Sequence, residues 1–336
     1  MNSDMGLTRS AHGNEHEWHV DAPITARLTW DYEPRSPRTL SLIERARAAQ
    51  WSAKSDVDWS TEVEFGAPLP NDSTFSMSSF ESSPFARRGR ESWDLYRWEF
   101  QSWMISQFLH GEQGALVAAA RLVEMLPDLE NKQLAVSQVV DEARHVEVFS
   151  RYLREKVPEP YPISDSLSTL LGDILSDSRW DVTALGMQIM VEALAMAAFR
   201  MANTTFHDDL IRDITRLVAR DEARHVSFGV LSLKELYTEL TDAERREREE
   251  VVLDAAQLMR RRFLLEDIWD RIDVTRSDGM HYALTDPLMI AYRQAIFAKI
   301  VSALSQIGLL TERVRDGMSQ MNLLGFSANR RVLAAR

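Results

Sequence analysis

Residues Asp141–His145 read DEARH, and residues Asp221–His225 read DEARH again. The two pentapeptides stand 80 residues apart, and each follows a further glutamate at the same distance. Glu112 lies 30 residues before Glu142, and Glu192 lies 30 before Glu222. The chain thus carries one pattern, a lone Glu and then Glu-x-x-His, twice. A single Glu-x-x-His on a helix is usually a solvated ion pair. Two identical copies with their partner acids in register form an internal repeat, and a repeat reports architecture.

The spacing has a geometric meaning. Pro127 and Asp128 mark a turn, with Glu112 lying 15 residues before Pro127 and Glu142 lying 15 after it. At 1.5 Å rise per residue, each glutamate is about 22 Å from the turn, so an antiparallel helical hairpin brings them level. The same holds for Glu192 and Glu222 around a turn near His207. Glu and His at i, i+3 share a helix face. Glu112, Glu142, His145, Glu192, Glu222 and His225 are therefore expected to point inward at the middle of a four-helix bundle. Four bare carboxylates buried together are very costly. Two divalent cations cancel their charge, and carboxylate with imidazole suits iron, manganese or zinc. This is the donor pattern of ferritin-like dimetal carboxylate bundles.

Asp141 and Asp221 precede the motif glutamates. Each is expected to accept the free ring N–H of a ligand histidine from the other half, with Arg144 and Arg224 neutralising the pair. One turn from the ligands the halves differ: Phe108 corresponds to Gln188, Leu116 to Met196, Gln138 to Val218, and Phe149 to Gly229. An asymmetric, mainly apolar pocket is expected there, with Gly229 either leaving room for substrate or packing helices. Gln138 and Gln188 are expected to hydrogen-bond between helices or toward the site.

The rest of the chain agrees with an all-α protein. Gly (13) and Pro (11) are sparse among 336 residues, which favours long helices. Residues 1–90 hold Pro23, Pro34, Pro37, Pro68, Pro70 and Pro84 and read as an irregular extension with one helix near Thr39–Gln50. It is expected to wrap the body through Trp51, Trp59 and Phe65. Residues 91–322 read as the helical domain, with helices added after the bundle, and 323–336 as a tail. Thr241–Glu244 fits a capping box opening a helix to about Arg271. Residues 276–287 read as a loop. Trp93, Trp98 and Trp103 precede the first glutamate and suit core or dimer packing, or electron transfer toward the metals.

Composition excludes several chemistries. With no cysteine, the chain has no disulfide, thiolate zinc site, cysteine-ligated iron–sulfur cluster or catalytic thiol. A net charge of -12 argues against nucleic acid as a partner. No run of about 18 apolar residues suggests a membrane span. The opening MNSDMGLTRS lacks the apolar segment of a secretory signal, so a cytoplasmic location is expected. His12, His16 and His19 read as part of a flexible tail.

Over residues 90–240 the two DEARH motifs and their partner glutamates resemble the ferritin-like diiron-carboxylate oxygenases and oxidases. They are most similar to the DExRH motifs of bacterial multicomponent monooxygenase hydroxylases, and are also similar to acyl-carrier-protein desaturases. The resemblance implies Glu112, Glu142 and His145 on one metal and Glu192, Glu222 and His225 on the other, with some glutamates bridging. It implies two iron ions, or a Mn/Fe pair, that activate O2 to oxidise, most simply hydroxylate, a small organic substrate. It also implies a homodimer. Electrons must come from a separate ferredoxin or reductase, because the chain shows no flavin, nicotinamide or iron–sulfur motif. Individual branches depart in detail. Phe149 stands where ribonucleotide reductase radical subunits carry a tyrosine, and Met187 where ligand-binding oxidases carry one. Val218 replaces the additional histidine of arylamine N-oxygenases, which points away from that branch. Met196 replaces a threonine of multicomponent hydroxylases, whose catalytic subunits are longer. Desaturases have a longer first spacing, rubrerythrins need cysteines, and ferritins are half this length. Desaturation, N-oxygenation, iron storage and radical generation remain the alternatives to hydroxylation.

Overall fold

A computed structural model describes residues 18–33, 36–70 and 77–325. His12, His16, part of the Ser-rich stretch before Pro84 and residues 326–336 of the tail lie outside the described residues. Most helix starts are set by oxygen-bearing caps. Ser36 caps α1 (Pro37–Ala48), whose first residue is proline. α2 (Met77–Ser82) is short, and α3 (Arg90–Met125) follows Gly89. Asp128 accepts from Asn131 N at 2.8 Å and opens α4 (Leu129–Lys156). α5 (Asp165–Ser176) leads to a long composite helix. It comprises α6 (Trp180–Ala184), a π-helical segment (Leu185–Val191) and α7 (Glu192–Thr205). Asp208 caps α8 (Asp209–Leu236) through Ile211 N at 2.9 Å. The capping box at Thr241 and Glu244 is present and opens α9 (Asp242–Arg262). Then follow α10 (Glu266–Arg271), α11 (Arg276–Thr285), α12 (Pro287–Gln306) and α13 (Glu312–Gln320).

The repeat extends beyond its motifs. The Asp128 and Asp208 caps, and both ends of α4 and α8, are displaced by the same 80 residues. α3 pairs with α4 and α7 with α8, and the two hairpins close into a four-helix bundle. Its interior is packed to near-complete exclusion of water, as the buried Phe100, Ile105, Phe149, Tyr152, Ile189 and Ile214 show. No strand occurs among the described residues, so the chain is all-α with a ferritin-like bundle.

Three sequence expectations change in detail. The helix expected to reach Arg271 breaks after Arg262, where Leu265 adopts a left-handed φ of 60° and a new helix starts. Residues 276–285, expected as loop, form α11, capped by Thr275. Gly279 permits this helix, because a Cβ there would stand 2.1 Å from the Trp269 ring. Two helices are long and apolar enough to cross a membrane, Trp180–Ala202 and Pro287–Gln306. The first is 94% buried as the central strut of the bundle, and the second packs Ile296, Phe297, Ile300 and Leu304 inward.

The extension does wrap the body. Trp59 lies under the Arg151 guanidinium at 4.0 Å, and Phe65 packs on Trp98 at 5.1 Å. Trp98 donates to Ala67 O at 2.9 Å. The three α3 tryptophans diverge into separate clusters. Trp93 meets Phe80, Phe85 and Tyr96, Trp98 meets Phe65 and His207, and Trp103 meets Phe263 and donates to Asp267.

Candidate metal centre

Glu112 comes from α3, Glu142 and His145 from α4, Glu192 from the first residue of α7, and Glu222 and His225 from α8. The structure brings all six together at one level, and all are buried. Their donor atoms form two groups whose members all lie within 4.8 Å of one another. One group is Glu112, Glu142, His145 and Glu222, and the other is Glu142, Glu192, Glu222 and His225. Glu142 and Glu222 belong to both, so each is placed to bridge.

Both imidazoles face the carboxylates through Nδ1. His145 Nδ1 lies 3.2 Å from Glu112 and from Glu142, and 3.3 Å from Glu222. His225 Nδ1 lies 3.1 Å from Glu142, 3.5 Å from Glu222 and 3.9 Å from Glu192. Donors held about 2.1 Å from a first-row metal ion are about 3.0 Å apart in cis positions and about 4.2 Å in trans. The observed separations fall in that window. Both Glu222 oxygens, Glu192 Oε2 and His225 Nδ1 are buried without a hydrogen-bond partner. Buried polar atoms are nearly always satisfied, so these orphans require an explanation. Cations at the two groups supply it.

The opposite ring nitrogens are held across the pseudo-twofold. His145 Nε2 donates to Asp221 at 3.3 Å and His225 Nε2 to Asp141 at 3.2 Å, so each aspartate meets the histidine of the other half. Arg144 bonds both aspartates, and so does Arg224, at 2.9 Å to Asp141 and 2.6 Å to Asp221. Six carboxylates, two guanidiniums and two divalent cations sum to zero. That closure lets the whole assembly sit in a low-dielectric core.

Without cations, protons must do this work. Burial, reinforced by the charge of Glu222, holds Glu112 and Glu192 well above the ordinary carboxyl range. Burial opposes protonation of His145 and His225. Asp221 and Glu112 around the first ring outweigh it, as do Glu222 and Glu142 around the second, and hold both well above their ordinary 6.5. The same imidazoles drive Glu142 well below its usual value against the cost of burial. Asp141 and Asp221 are lowered by their histidine hydrogen bonds, also against burial.

Two parts of the site have no signal in the motifs. The first comes from the extension. Trp51 Nε1 donates to Asp221 at 2.7 Å, and its ring lies 4.9 Å from the Arg144 guanidinium. Gln50 donates to Asp141 at 3.1 Å and accepts from Arg144 at 2.7 Å. The N-terminal segment thus seals the aspartate–arginine network. The second is the π-helical segment that ends at Val191, just before Glu192, and breaks the symmetry of the halves. It brings Gln188 to donate to Gln138 at 3.0 Å, while Gln138 donates to Glu192 at 2.6 Å and to Glu142 at 3.1 Å. π-Turns inside helices concentrate at functional sites.

Where an asymmetric, mainly apolar pocket was expected, the side chains one turn from the ligands are packed together. Phe108 and Phe149 lie 6.0 Å apart, and both pack on Phe199, at 4.4 and 5.7 Å. Met196 is buried and Leu116 half-buried. Gly229 serves helix packing, since a Cβ there would stand 2.6 Å from Gln188 Cβ, so it opens no substrate space. A cavity beneath α1, lined by Leu42, Ala46, Leu134, Gln138, His225 and Phe228 among others, measures about 10 Å³. That is room for about one water.

The comparisons with known proteins follow this geometry. The chain resembles two solved variants of an R2-like ligand-binding oxidase with anaerobically reconstituted Mn/Fe cofactor. One is 16% identical, with a TM-score of 0.52 over 81% of this chain and 94% of its own. The other is 17% identical, with a TM-score of 0.52 over 82% and 94%. At such identities the likeness is one of fold. No curated protein matches the chain. The donor set and this fold fit a dinuclear Fe/Fe or Mn/Fe cofactor. The family model of P-aminobenzoate N-oxygenase AurF matches residues 35–308. This overturns the inference from Val218, for the residue that pointed away from N-oxygenases does not remove the chain from their family. A repeat of glutamates and histidines, folded into one buried cluster and matched over most of its length, makes this chain a member of the AurF family within the ferritin-like diiron-carboxylate proteins.

Proposed function

We propose that this protein is an O2-dependent monooxygenase that inserts one oxygen atom at the nitrogen of a small amine. The observation that carries the reading is the pair of donor groups sharing Glu142 and Glu222, in a chain of the AurF family. Bound there, an iron pair supplies the electrons that reduce O2. Glu112, His145, Glu192 and His225 hold the two ends of the site, and the shared glutamates hold its middle. Asp141 and Asp221 fix the imidazoles with Nδ1 toward the cluster. Gln138 restrains Glu192 and Glu142, and the three phenylalanines exclude water from one side.

Converting R–NH2, O2, two electrons and two protons to R–NHOH and water balances the reaction. The electrons come from a separate ferredoxin or reductase, and a cytoplasmic setting suits that supply. The test is anaerobic loading with two equivalents of Fe(II) per chain, then 18O2, a chemical or protein reductant, and a panel of aromatic and aliphatic amines. One 18O atom in an N-hydroxylated product is the expected result. Desaturated or carbon-hydroxylated products, or iron accumulation far beyond two per chain, overturn the reading.

A further inference from the structure

Five arginines are buried among the described residues, and four of them direct their charge at acceptors. Arg97 pairs with Asp94, Arg144 with Asp141 and Asp221, and Arg248 with Asp181. Arg293 donates to the carbonyls of Ala283 and Leu284. Arg262 is the exception. It closes α9 with only 7% of its surface exposed, and its guanidinium forms no hydrogen bond or ion pair with a described residue. Its Nε is buried without a partner, while Nη1 and Nη2, the open edge of the fork, are not enclosed. The adjacent Arg260 and Arg261 are both satisfied, by Met321 O at 3.0 Å and by Glu266 at 3.2 Å.

The surroundings of Arg262 are aromatic rather than acidic. Trp103 of α3 and Phe263 lie 5.9 and 6.0 Å from its Cζ, at the outer limit of a cation–π contact. Phe263 packs edge-on against Trp103 at 6.1 Å and against Tyr292 of α12 at 6.0 Å. The titratable groups facing the Arg262 charge are Tyr292 and His110, a phenol and an imidazole. Burial raises the Tyr292 phenol, so it stays neutral and supplies no counter-charge. Burial pushes the Arg262 guanidinium down only to about 10, so it is a cation at neutral pH. The chain has 51 acidic residues, yet no described one reaches this cation. A buried charge left unpaired is strongly destabilising, so an anion from outside the chain has a place here.

We propose that Arg262 anchors a second ligand site, separate from the metal centre, that binds a small organic monocarboxylate with its apolar body against Trp103, Phe263 and Tyr292. The planar guanidinium fork matches the two oxygens of a carboxylate, and such charge-assisted bidentate pairs are short and strong. A monoanion cancels the single buried positive charge. A phosphate dianion would leave a net negative charge beside apolar rings, and chloride cannot engage two prongs in one plane. The aromatic wall favours a carboxylate that carries an apolar body over acetate. The site is distinct because no metal donor belongs to it. Trp103 stands nine residues before Glu112 on α3, about 14 Å along the axis and on the opposite helix face. The inference does not depend on the reaction proposed at the metals.

The test is calorimetric titration of sodium phenylacetate into the full chain loaded with Fe(II), under anaerobic and chloride-free conditions. One phenylacetate should bind per chain, roughly 10-fold or more tighter than acetate. Arg262→Met keeps the apolar stem and removes the charge. It should abolish this binding while retaining two irons, and its thermal midpoint without ligand should hold or rise. Arg262→Lys keeps the charge but loses the fork, and should weaken binding roughly 10-fold. No binding of phenylacetate, or binding unchanged in Arg262→Met, would overturn the proposal. A lower ligand-free midpoint for Arg262→Met would do the same, by showing that the protein itself already satisfies the guanidinium. Tighter binding of chloride or phosphate than of phenylacetate would overturn the assignment to a carboxylate.

Discussion

Metal loading should expel protons from the cluster. In the metal-free cluster burial and neighbouring carboxylates hold Glu112 and Glu192 well above their ordinary values, and the carboxylates around His145 and His225 hold both imidazoles well above theirs against the cost of burial. Their raised values favour the protonated forms, so incoming divalent cations compete with protons at these four groups. The overall constant for binding both metals should then rise with pH, by one unit of log K per pH unit for each proton displaced. Each proton displaced is worth about 1.4 kcal/mol per pH unit. The assay is anaerobic titration with Fe(II) or Mn(II) in a series of buffers of different ionisation enthalpy, read by calorimetry. The slope of observed heat against buffer enthalpy counts the protons. Release of none would show that the cluster waits for metal already deprotonated, and would refute the charge argument. Stability follows the same linkage. All four groups have raised folded values, so the metal-free protein binds more protons folded than unfolded between the two values. It loses stability as pH rises above 4.5 for the glutamates and above 6.5 for the histidines. Glu142, Asp141 and Asp221 act oppositely: their stabilisation is present above ordinary carboxyl values and is lost as pH falls through their lowered ones. Thermal melts from pH 6 to 9 should fall for the metal-free protein and hold or rise for the loaded one.

Three further outcomes are expected. Glu142→Ala removes a carboxylate shared by both donor groups, so iron stoichiometry measured by elemental analysis should drop from two to one or fewer; retention of two irons rules out a bridging role. Asp221→Asn weakens the partner of His145 Nε2, and metal affinity should fall 10–100-fold with helicity unchanged. Gly229→Ala places a methyl 2.6 Å from Gln188 Cβ, and should cost about 1–3 kcal/mol in urea denaturation; an unchanged midpoint would show that the π-helical segment yields freely.

The fold and the six-residue cluster were legible because their causes are local or periodic. Helix caps lie within a few residues of the helices they start, and the equal spacings about Pro127 and His207 convert directly into equal heights along antiparallel helices. Asp128 and Asp208, Thr241 and Glu244 belong to this class. Family membership was less legible, since Val218 weighed against a branch that the full-length comparison supports. α11 was missed because Ser277, Asp278 and Gly279 read as a loop until Trp269 is placed beneath them.

What the sequence by itself determined is the repeat, the hairpins, the all-α class and the charge that requires two cations. Those follow from helix period and rise. Only the tertiary structure decided that the helix before Glu192 takes a π-helical path, that Gln50 and Trp51 close the aspartate–arginine network, and that phenylalanines pack together where an asymmetric, mainly apolar pocket was expected. Each of these depends on contacts between residues far apart in the chain, and the energy of such contacts lies in packing, which no local pattern encodes.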